Sequence, residues 1–440
     1  MRVRGCFLGL SVIMTMLCVL VGEAAAQDKP ELTVRPQGEK YLYSLGDTVE
    51  FIVNSSGIDF AENGGSLSYR FSRDGGEILE EGTLRLKSGS ATVRGVLTVP
   101  GFLRIDLSLP TGEDTLTAAC GCGIEVGAIL PTGRLPENFD RFWRLTRAEL
   151  IRHPLEPRVR EAEAVDPGDA HRFKISLRHP DGGRVHGWLH LPKGEGPFPA
   201  VLSIPGSGIG RTGRFAGFTS AGYAVLAIEI HGLEPSRENI GAVHWTEPDS
   251  SILFFREVQD GVLNDIHELG KENPYHYIHR RSLLAVMRAM DYLHARKDID
   301  KDRIALFGGS QGGGLSLIAA AIDKRARAVI ATVPGFCDQT AWLYGRCGGA
   351  DRLKGGDREQ IIEAMSYYDA ALAAQLIDVP VYIGVGFIDA TCHPTKVYAA
   401  FNNLAGPRTI ENFINIAHGS PPGWRERSIE WLDKQFMMGR

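Results

Sequence analysis

The sequence lacks the features that identify several classes of protein. Its 48 lysines and arginines are outnumbered by 53 acidic residues, which gives a formal net charge of −5, and no basic run stands out. This balance gives no support to nucleic-acid binding, so we expect no nucleic-acid partner. No cysteine and histidine spacing resembles a zinc site, and we expect no metal. Beyond the first residues no apolar run suggests a membrane span.

The first 26 residues have the pattern of a secretory leader. Two arginines precede an apolar run from Phe7 to Val21, and Ala24-Ala25-Ala26 provides small residues for cleavage. Neither Cys6 nor Cys18 lies in a convincing lipoprotein sequence. We therefore predict a cleaved signal peptide over residues 1–26 and a mature protein that is secreted or periplasmic.

Seven cysteines are few for a chain of 440 residues, and cleavage would leave five. An odd number in an oxidising compartment predicts at least one unpaired thiol. Cys337 and Cys347 flank a compact segment with glycines, which makes a disulfide between them a hypothesis. Cys120 and Cys122 are separated by one glycine, so a direct bridge would be strained, and we expect two half-buried small apolar residues.

Residues 27–131 show short runs typical of β-strands and no helical period. In one run Val49, Phe51 and Val53 fall on one face of a predicted strand, and Asp74-Gly75-Gly76 is a turn signal. The pattern predicts a small antiparallel β-sandwich of immunoglobulin-like type. It contains no cluster of catalytic residue types. A spacer or packing module is one interpretation; carbohydrate binding, with Tyr41 or Tyr43 stacking on sugars, or control of oligomerisation is another.

Residues 132–440 follow a linker rich in proline and change to alternating strands and helices. Buried strands are predicted at 200–204, 224–228, 304–307, 328–333, 381–385 and 409–416, and helices at 137–151, 280–295, 394–402 and 424–436. This order predicts an α/β domain with a doubly wound, mostly parallel sheet. Two long connections, 232–277 and 335–376, interrupt the alternation and are expected to cover a site or to carry oligomer contacts.

The stretch Gly308-Gly309-Ser310-Gln311-Gly312 lies between a strand and an apolar helix. A glycine two residues before and two after a serine is the pattern of a nucleophile elbow, where the chain reverses so tightly that side chains do not fit beside the serine. A structural turn rich in glycine is the alternative. We predict that Ser310 is a catalytic nucleophile.

A serine nucleophile requires a base and an acid that orients the base. In this architecture they follow later strands in the order serine, acid, histidine. Asp389 follows the predicted strand at 381–385, and His418 follows the last strand. We predict these two residues as the acid and the base. His393 is a weaker candidate for the base, and Asp378 precedes a strand and would lie at the wrong edge.

An oxyanion hole requires two hydrogen-bond donors. One is expected to be the backbone N–H of Gln311, which follows the nucleophile. The other is expected in the loop after the first parallel strand, at Ser207 with Gly206 as the alternative. Substrate contacts are predicted at His231, which follows a strand, at Phe336, in one of the long connections, and at His393.

Five segments from about residue 135 onward resemble the acetylxylan esterase / cephalosporin C deacetylase family of α/β-hydrolases. They are Pro136-Glu-Asn-Phe-Asp-Arg-Phe-Trp143, Asp300-Lys-Asp-Arg-Ile304, Gly308-Gly-Ser-Gln-Gly-Gly-Gly-Leu315, Ser366-Tyr-Tyr-Asp369 and Asp389-Ala-Thr-Cys-His-Pro-Thr395 with 398–402. The resemblance implies an α/β-hydrolase fold, removal of O-acetyl groups from sugars, and a triad of Ser310, Asp389 and His418. A homo-oligomer is a further hypothesis that it raises.

Three segments depart from the family's usual pattern. Pro205-Gly206-Ser207 stands where the family has His-Gly-Tyr, Glu229-Ile-His231-Gly232 where it has Asp-x-Arg-Gly, and Cys392-His393-Pro394 where it has Cys-Pro-Pro. These changes leave the triad intact and bear on the substrate. The tyrosine ring that would help to form the acyl pocket is absent from the first segment.

The sequence therefore predicts an exported serine carbohydrate esterase that acts on an acetylated polysaccharide or oligosaccharide and needs no metal or organic cofactor. Two alternatives stay open. The same triad could act on another short-acyl ester, a thioester or a peptide. A degenerate hydrolase domain could instead serve a polysaccharide-binding protein.

Overall fold

The structure is a computed structural model that describes residues 29–58, 65–112, 114–165, 168–207, 216–231, 266–346 and 355–438. The strands are β1 Glu31–Pro36, β2 Leu42–Tyr43, β3 Thr48–Ser56, β4 Ser66–Arg73, β5 Glu77–Arg85, β6 Ser90–Val96, β7 Gly101–Thr111, β8 Asp114–Ile124, β9 Arg158–Ala162, β10 Asp169–Arg178, β11 Arg184–Pro192, β12 Phe198–Ile204, β13 Ala224–Glu229, β14 Ile299–Gly309, β15 Ala328–Thr332, β16 Val381–Gly386 and β17 Arg408–Phe413. The helices are α1 Phe139–Arg152, α2 Ala216–Ser220, α3 Ile278–Ala295, α4 Gln311–Ile322, α5 Arg358–Ser366, α6 Ala370–Ala373, α7 Pro394–Asn402 and α8 Trp424–Gln435.

The described strands form three sheets. Sheet A has the order β1-β3-β6, sheet B the order β2-β8-β7-β4-β5, and sheet C the order β17-β16-β15-β14-β12-β13-β11-β10-β9. Sheets A and B use the strands up to residue 124, and sheet C uses all the later strands. The change in sequence pattern near residue 131 therefore coincides with a change of sheet.

Sheets A and B pack on each other around a common apolar core. Phe51 on β3 and Ile105 on β7 are fully buried in it, and Cys120 and Cys122 on β8 lie there too. Alternation with a period of two residues places these side chains on one face of each strand and leaves residues such as Arg104 on the other. The predicted β-sandwich is confirmed. The prediction that Cys120 and Cys122 are half-buried is wrong, because both point into this core and are fully buried.

Sheet C is parallel from β13 to β17 and antiparallel from β9 to β13. The residues of its central strands are apolar on both faces, because helices cover both sides. On β12, for example, Leu202 faces the cluster that includes α3 and α4, whereas Val201 faces the cluster that includes α2 and α8. The predicted fold class, a doubly wound, mostly parallel sheet after a small β-sandwich, is confirmed.

The parallel strands bring remote segments to the same edge of sheet C. The chain leaves β12 before Gly206, β14 before Ser310, β16 before Asp389 and β17 before His418. The carboxyl ends of parallel strands lie at one edge, where ligands bind in open α/β sheets. The fold itself therefore brings together the segments that carry the predicted triad and the predicted oxyanion hole.

Some predictions fall outside the described residues. They are the signal peptide at 1–26, residues 232–265 of the long connection at 232–277, and Cys347 with its hypothetical disulfide. The other connection, 335–376, is described except for residues 347–354, and it contains α5 and α6. Within the ranges given above, none of the helices combines the length and the apolar character needed to cross a membrane.

The sandwich core supplies a test of the fold. Phe51→Ala removes a fully buried ring and should lower the stability of the β-sandwich by about 3–5 kcal/mol. Ile78→Ala truncates a side chain that is 53% exposed on β5 and should have little effect. Urea unfolding followed by circular dichroism measures both. Equal unfolding midpoints for the two variants would contradict this description of the core.

Candidate active site

Ser310 lies in a sharp turn between β14 and α4, with φ 54° and ψ −123°. A positive φ is strained for a residue that carries a Cβ, and such strain concentrates at functional sites. A Cβ on Gly308 would lie 2.4 Å from the Gly312 backbone, and a Cβ on Gly312 would lie 2.2 Å from the Ile204 oxygen. The turn therefore closes only because both positions are glycine.

The three residues predicted as a triad form one line of hydrogen bonds. His418 Nε2 lies 3.0 Å from Ser310 Oγ, and His418 Nδ1 lies 2.9 Å from Asp389 Oδ2. With the proton on Nδ1, the imidazole donates to the carboxylate, and Nε2 is free to accept the serine proton. This arrangement is the one that an activated serine nucleophile requires.

Asp389 is held by its own loop. It is 1% exposed, and its Oδ1 accepts hydrogen bonds from the backbone N–H groups of Thr391 at 2.7 Å and Cys392 at 2.9 Å. These two bonds fix one carboxylate oxygen, so that the other points to His418. The backbone of this loop therefore orients the Asp389 carboxylate.

Its neighbours alter the basicity of His418. The hydrogen bond to Asp389, followed by the interaction with Cys392, raises the pKa of His418 to about 10, while partial burial acts in the opposite direction. A raised pKa means that the imidazolium form is stabilised. His418 can therefore hold a proton taken from the serine, but it accepts that proton only in its neutral form.

Asp389, Cys392 and His418 lie close together: one potential metal-ligand atom of each is within 4.8 Å of the others. Two of these residues are already joined by the hydrogen bond between His418 Nδ1 and Asp389 Oδ2. We therefore interpret the group as a base, its orienting acid and a neighbouring thiol. The position of Cys392 beside His418 was not predicted from the sequence, although Cys392 belongs to the family segment at 389–395.

The loop after β12 passes directly beside the serine. A Cβ on Gly206 would lie 3.4 Å from the Gly309 oxygen and 3.9 Å from Ser310 Cβ. The Ser207 hydroxyl donates to Gln311 Oε1 at 3.2 Å. The structure thus brings together the residues predicted for the oxyanion hole. Their donor roles stay predictions, and residues 208–215 lie outside the described ranges.

A cavity of about 480 Å³ opens next to Ser310 and His418. Its other lining residues include apolar groups, such as Val333 and Trp424, and charged groups, such as Glu426. The volume lies in the range of small-molecule sites, and the mixed lining suits a ligand with apolar and hydroxyl-bearing parts.

Two of the predicted substrate contacts lie in a cluster of buried histidines. His231 is 2% exposed, and its pKa is lowered to about 3, mainly by burial and next by the charges of Arg281 and His267. Phe336 packs on His279, with ring centroids 4.6 Å apart, and on His267 at 5.8 Å. His267 and His279 were not singled out in the sequence, because isolated histidines carry no spacing signal.

The third predicted contact, His393, lies elsewhere. It is 7% exposed, and its Nδ1 lies 2.9 Å from the backbone oxygen of Asp74, in the turn between β4 and β5. Asp74 is also the acceptor for the hydroxyl of Thr395. The sequence identifies Asp74 only as a turn residue, and no signal in it indicates this partner.

Comparisons with known sequences assign a family. A sequence model described as acetyl xylan esterase (AXE1) matches residues 128–435. Acetyl esterase Axe7A of Xylanibacter ruminicola is 30% identical over 416 residues, which cover 92% of this chain and 90% of the relative. The second match includes the β-sandwich as well as the α/β domain.

Solved structures show the same fold. An acetyl xylan esterase from Paenibacillus sp. R4 has a TM-score of 0.59 and 24% identity, and the match covers 70% of this chain and 98% of that one. Acetyl xylan esterase 1 from Thermoanaerobacterium sp. JW/SL YS485 has a TM-score of 0.57 and 21% identity, with 71% and 98% covered. These likenesses establish the α/β-hydrolase fold for the larger part of the chain.

The environment of His418 predicts a pH effect. Because the interaction with Cys392 contributes to the raised pKa of His418, Cys392→Ala should lower that pKa. The neutral base is then available at lower pH, so the acidic limb of kcat/KM against pH should move to lower pH. Hydrolysis of a chromogenic acetate ester measures the profile.

Cys392→Ser is the matched variant, because it keeps a hydrogen-bonding group at this position and should shift the limb less. An unchanged acidic limb in Cys392→Ala would show that Cys392 does not influence the base.

Proposed function

The chain belongs to the acetyl xylan esterase family of carboxylic-ester hydrolases, and we propose that it is an exported serine esterase that removes O-acetyl groups from acetylated xylan or xylo-oligosaccharides. The observation that carries this proposal is the line of hydrogen bonds from Ser310 through His418 to Asp389. The family indicates the type of bond that is cleaved, and the geometry supports the mechanism.

In the first half of the reaction, Ser310 Oγ attacks the acetyl carbonyl carbon. His418 Nε2 accepts the serine proton and then donates it to the departing sugar oxygen. Asp389 keeps the imidazole in the required tautomer and stabilises its positive charge. The product of this half-reaction is an acetyl-serine, and the sugar leaves with a free hydroxyl group.

In the second half, water takes the place of the sugar. His418 accepts a proton from water, the hydroxide attacks the acetyl-serine, and the proton returns to Ser310 as acetate leaves. In both halves the carbonyl oxygen becomes an oxyanion, for which we assign the backbone N–H groups of Gln311 and Ser207 as donors, with Gly206 as the alternative. These steps require no metal and no organic cofactor.

The organisation of the chain fits an exported enzyme. We propose that residues 1–26 are a cleaved leader, that residues 27–131 form the β-sandwich domain and that residues 132–440 form the esterase domain. In support, the last strand of sheets A and B ends at Ile124, and the family match begins at residue 128. The leader pattern supports export.

Replacement of the nucleophile tests the reaction. Ser310→Ala removes the attacking oxygen and should reduce acetate release from acetylated xylan by roughly 10⁴-fold or more. Ser56→Ala, at an exposed position at the end of β3, is the matched control and should leave the rate unchanged. If Ser310→Ala released acetate at the wild-type rate, Ser310 would not be the nucleophile.

A panel of esters tests the acyl group. Nitrophenyl esters of increasing chain length should give the highest kcat/KM for acetate, with a decline as the chain grows. A preference for longer acyl chains or for thioesters would instead support the same triad acting on a different substrate. Binding of xylan without hydrolysis, together with failure of a fluorophosphonate to label Ser310, would support a degenerate hydrolase.

A further inference from the structure

The β-sandwich contacts the esterase domain at the segment that carries the catalytic acid. This segment, Phe387–Thr395, runs from the end of β16 to the first turn of α7 and contains Asp389. We call it the acid loop. Residues of β7, β8 and the β4–β5 turn contact it on both sides of Asp389.

On the carboxyl-terminal side of Asp389, the sandwich caps helix α7. The N-cap residue of this helix, His393, makes no side-chain capping bond of its own. Asp74, from the β4–β5 turn, supplies that bond: its Oδ1 accepts from Thr395 N at 3.3 Å and from Thr395 Oγ1 at 2.8 Å, and its Oδ2 accepts from the same hydroxyl at 2.6 Å. A carboxylate here satisfies free N–H groups and complements the positive end of the helix.

Asp74 is built into this position. It is 2% exposed and has a φ of 53°, which is uncommon for a residue with a side chain. Its backbone oxygen bonds His393 Nδ1 at 2.9 Å, so one residue of the sandwich holds both His393 and Thr395 at the start of the helix. The turn Asp74-Gly75-Gly76 therefore joins β4 to β5 and also contacts the esterase domain.

On the amino-terminal side of Asp389, Arg104 of β7 holds the backbone. Its Nη1 donates to the oxygen of Ile388 at 3.0 Å, and Ile388 directly precedes Asp389. The rest of the guanidinium is fixed by Asp106, which accepts from Nε at 3.0 Å and from Nη2 at 2.7 Å. Arg104 is therefore oriented within its own sheet before it meets the acid loop.

Close packing accompanies these polar contacts. The ring of Phe102 packs edge-on against Phe387, with centroids 4.7 Å apart, and also contacts Tyr398 of α7 at 5.4 Å. A Cβ on Gly121 of β8 would lie 2.4 Å from the Phe387 oxygen, so the two backbones touch directly. Such a contact leaves the acid loop little freedom to move away from the sheet.

We propose that the β-sandwich is a positioning element for the catalytic acid, with Asp74 and Arg104 as positioning residues that act through Asp389 on His418. This inference rests on the proposed function of the triad and extends it to a domain that contributes no reacting group. Asp389 must keep one oxygen on His418 Nδ1, and a displacement of about 1 Å at such a site costs about 10²-fold in rate. The sandwich anchors the loop that sets this distance.

The test uses the full-length enzyme and single replacements in the interface. Arg104→Met and Thr395→Val remove the two anchors while keeping volume, and both should lower kcat roughly 10- to 100-fold with KM changed by less than about 3-fold. Thr395→Ser keeps the hydroxyl that bonds Asp74 and should retain most of kcat. Arg94→Met, which breaks an exposed ion pair with Glu50 on sheet A, is the control and should leave kcat unchanged.

Two further readouts separate positioning from general destabilisation. In an Asp389→Asn background the acid no longer orients the base in the same way, so Arg104→Met should cause little additional loss of kcat. In the native background, a weaker bond from His418 to Asp389 should lower the pKa of His418 and move the acidic limb of kcat/KM to lower pH.

Three results would overturn the inference. The first is an unchanged kcat in folded Arg104→Met and Thr395→Val proteins. The second is a loss of kcat from Arg104→Met that is equally large in the Asp389→Asn background. The third is a rise in KM with no change in kcat. The pKa of His418 can also be measured by NMR titration in Ser310→Ala, independently of turnover. This titration applies even if the protein proves not to be an esterase. If Arg104→Met leaves the pKa of His418 unchanged, the sandwich does not position Asp389.

Discussion

The hydrogen bond between His418 Nδ1 and Asp389 Oδ2 is the interaction on which the site depends. It selects the tautomer of the imidazole, stabilises its charged form and leaves Nε2 directed at Ser310. Asp389 follows β16 and His418 follows β17, so the bond requires these two neighbouring parallel strands to be in register. The large sheet, its two covering layers of helices and the elbow glycines all serve this one geometry.

The part of this arrangement that follows from local physics could be predicted from the sequence. The elbow has a local cause, because Gly308 and Gly312 each meet backbone at less than 2.5 Å from where a Cβ would lie. Asp389 and His418 could be located because apolar runs end in front of them and parallel strands end at one edge. The position of Gly206 and Ser207 beside Ser310 followed from the same rule applied to β12.

The contacts between the two domains could not be predicted in this way. Asp74 is part of a turn signal, and a turn signal specifies the local backbone without specifying what the turn packs against. His393 was interpreted from its closeness to Asp389 in sequence, but its side chain is buried against the β4–β5 turn. Long-range packing decided both of these positions. Cys392, by contrast, lies beside His418 for a local reason: the loop doubles back on itself through the two bonds that Asp389 Oδ1 accepts.

Mass spectrometry can establish whether Ser310 carries the acyl group during turnover, as we propose. The wild-type enzyme would be mixed with a chromogenic acetate ester, quenched in acid within the first turnovers and digested. We expect one acetyl group, on the peptide that contains Ser310, at a level that falls as the substrate is exhausted. Product formation with no acetyl group on that peptide, or with the acetyl group on another residue, would contradict it.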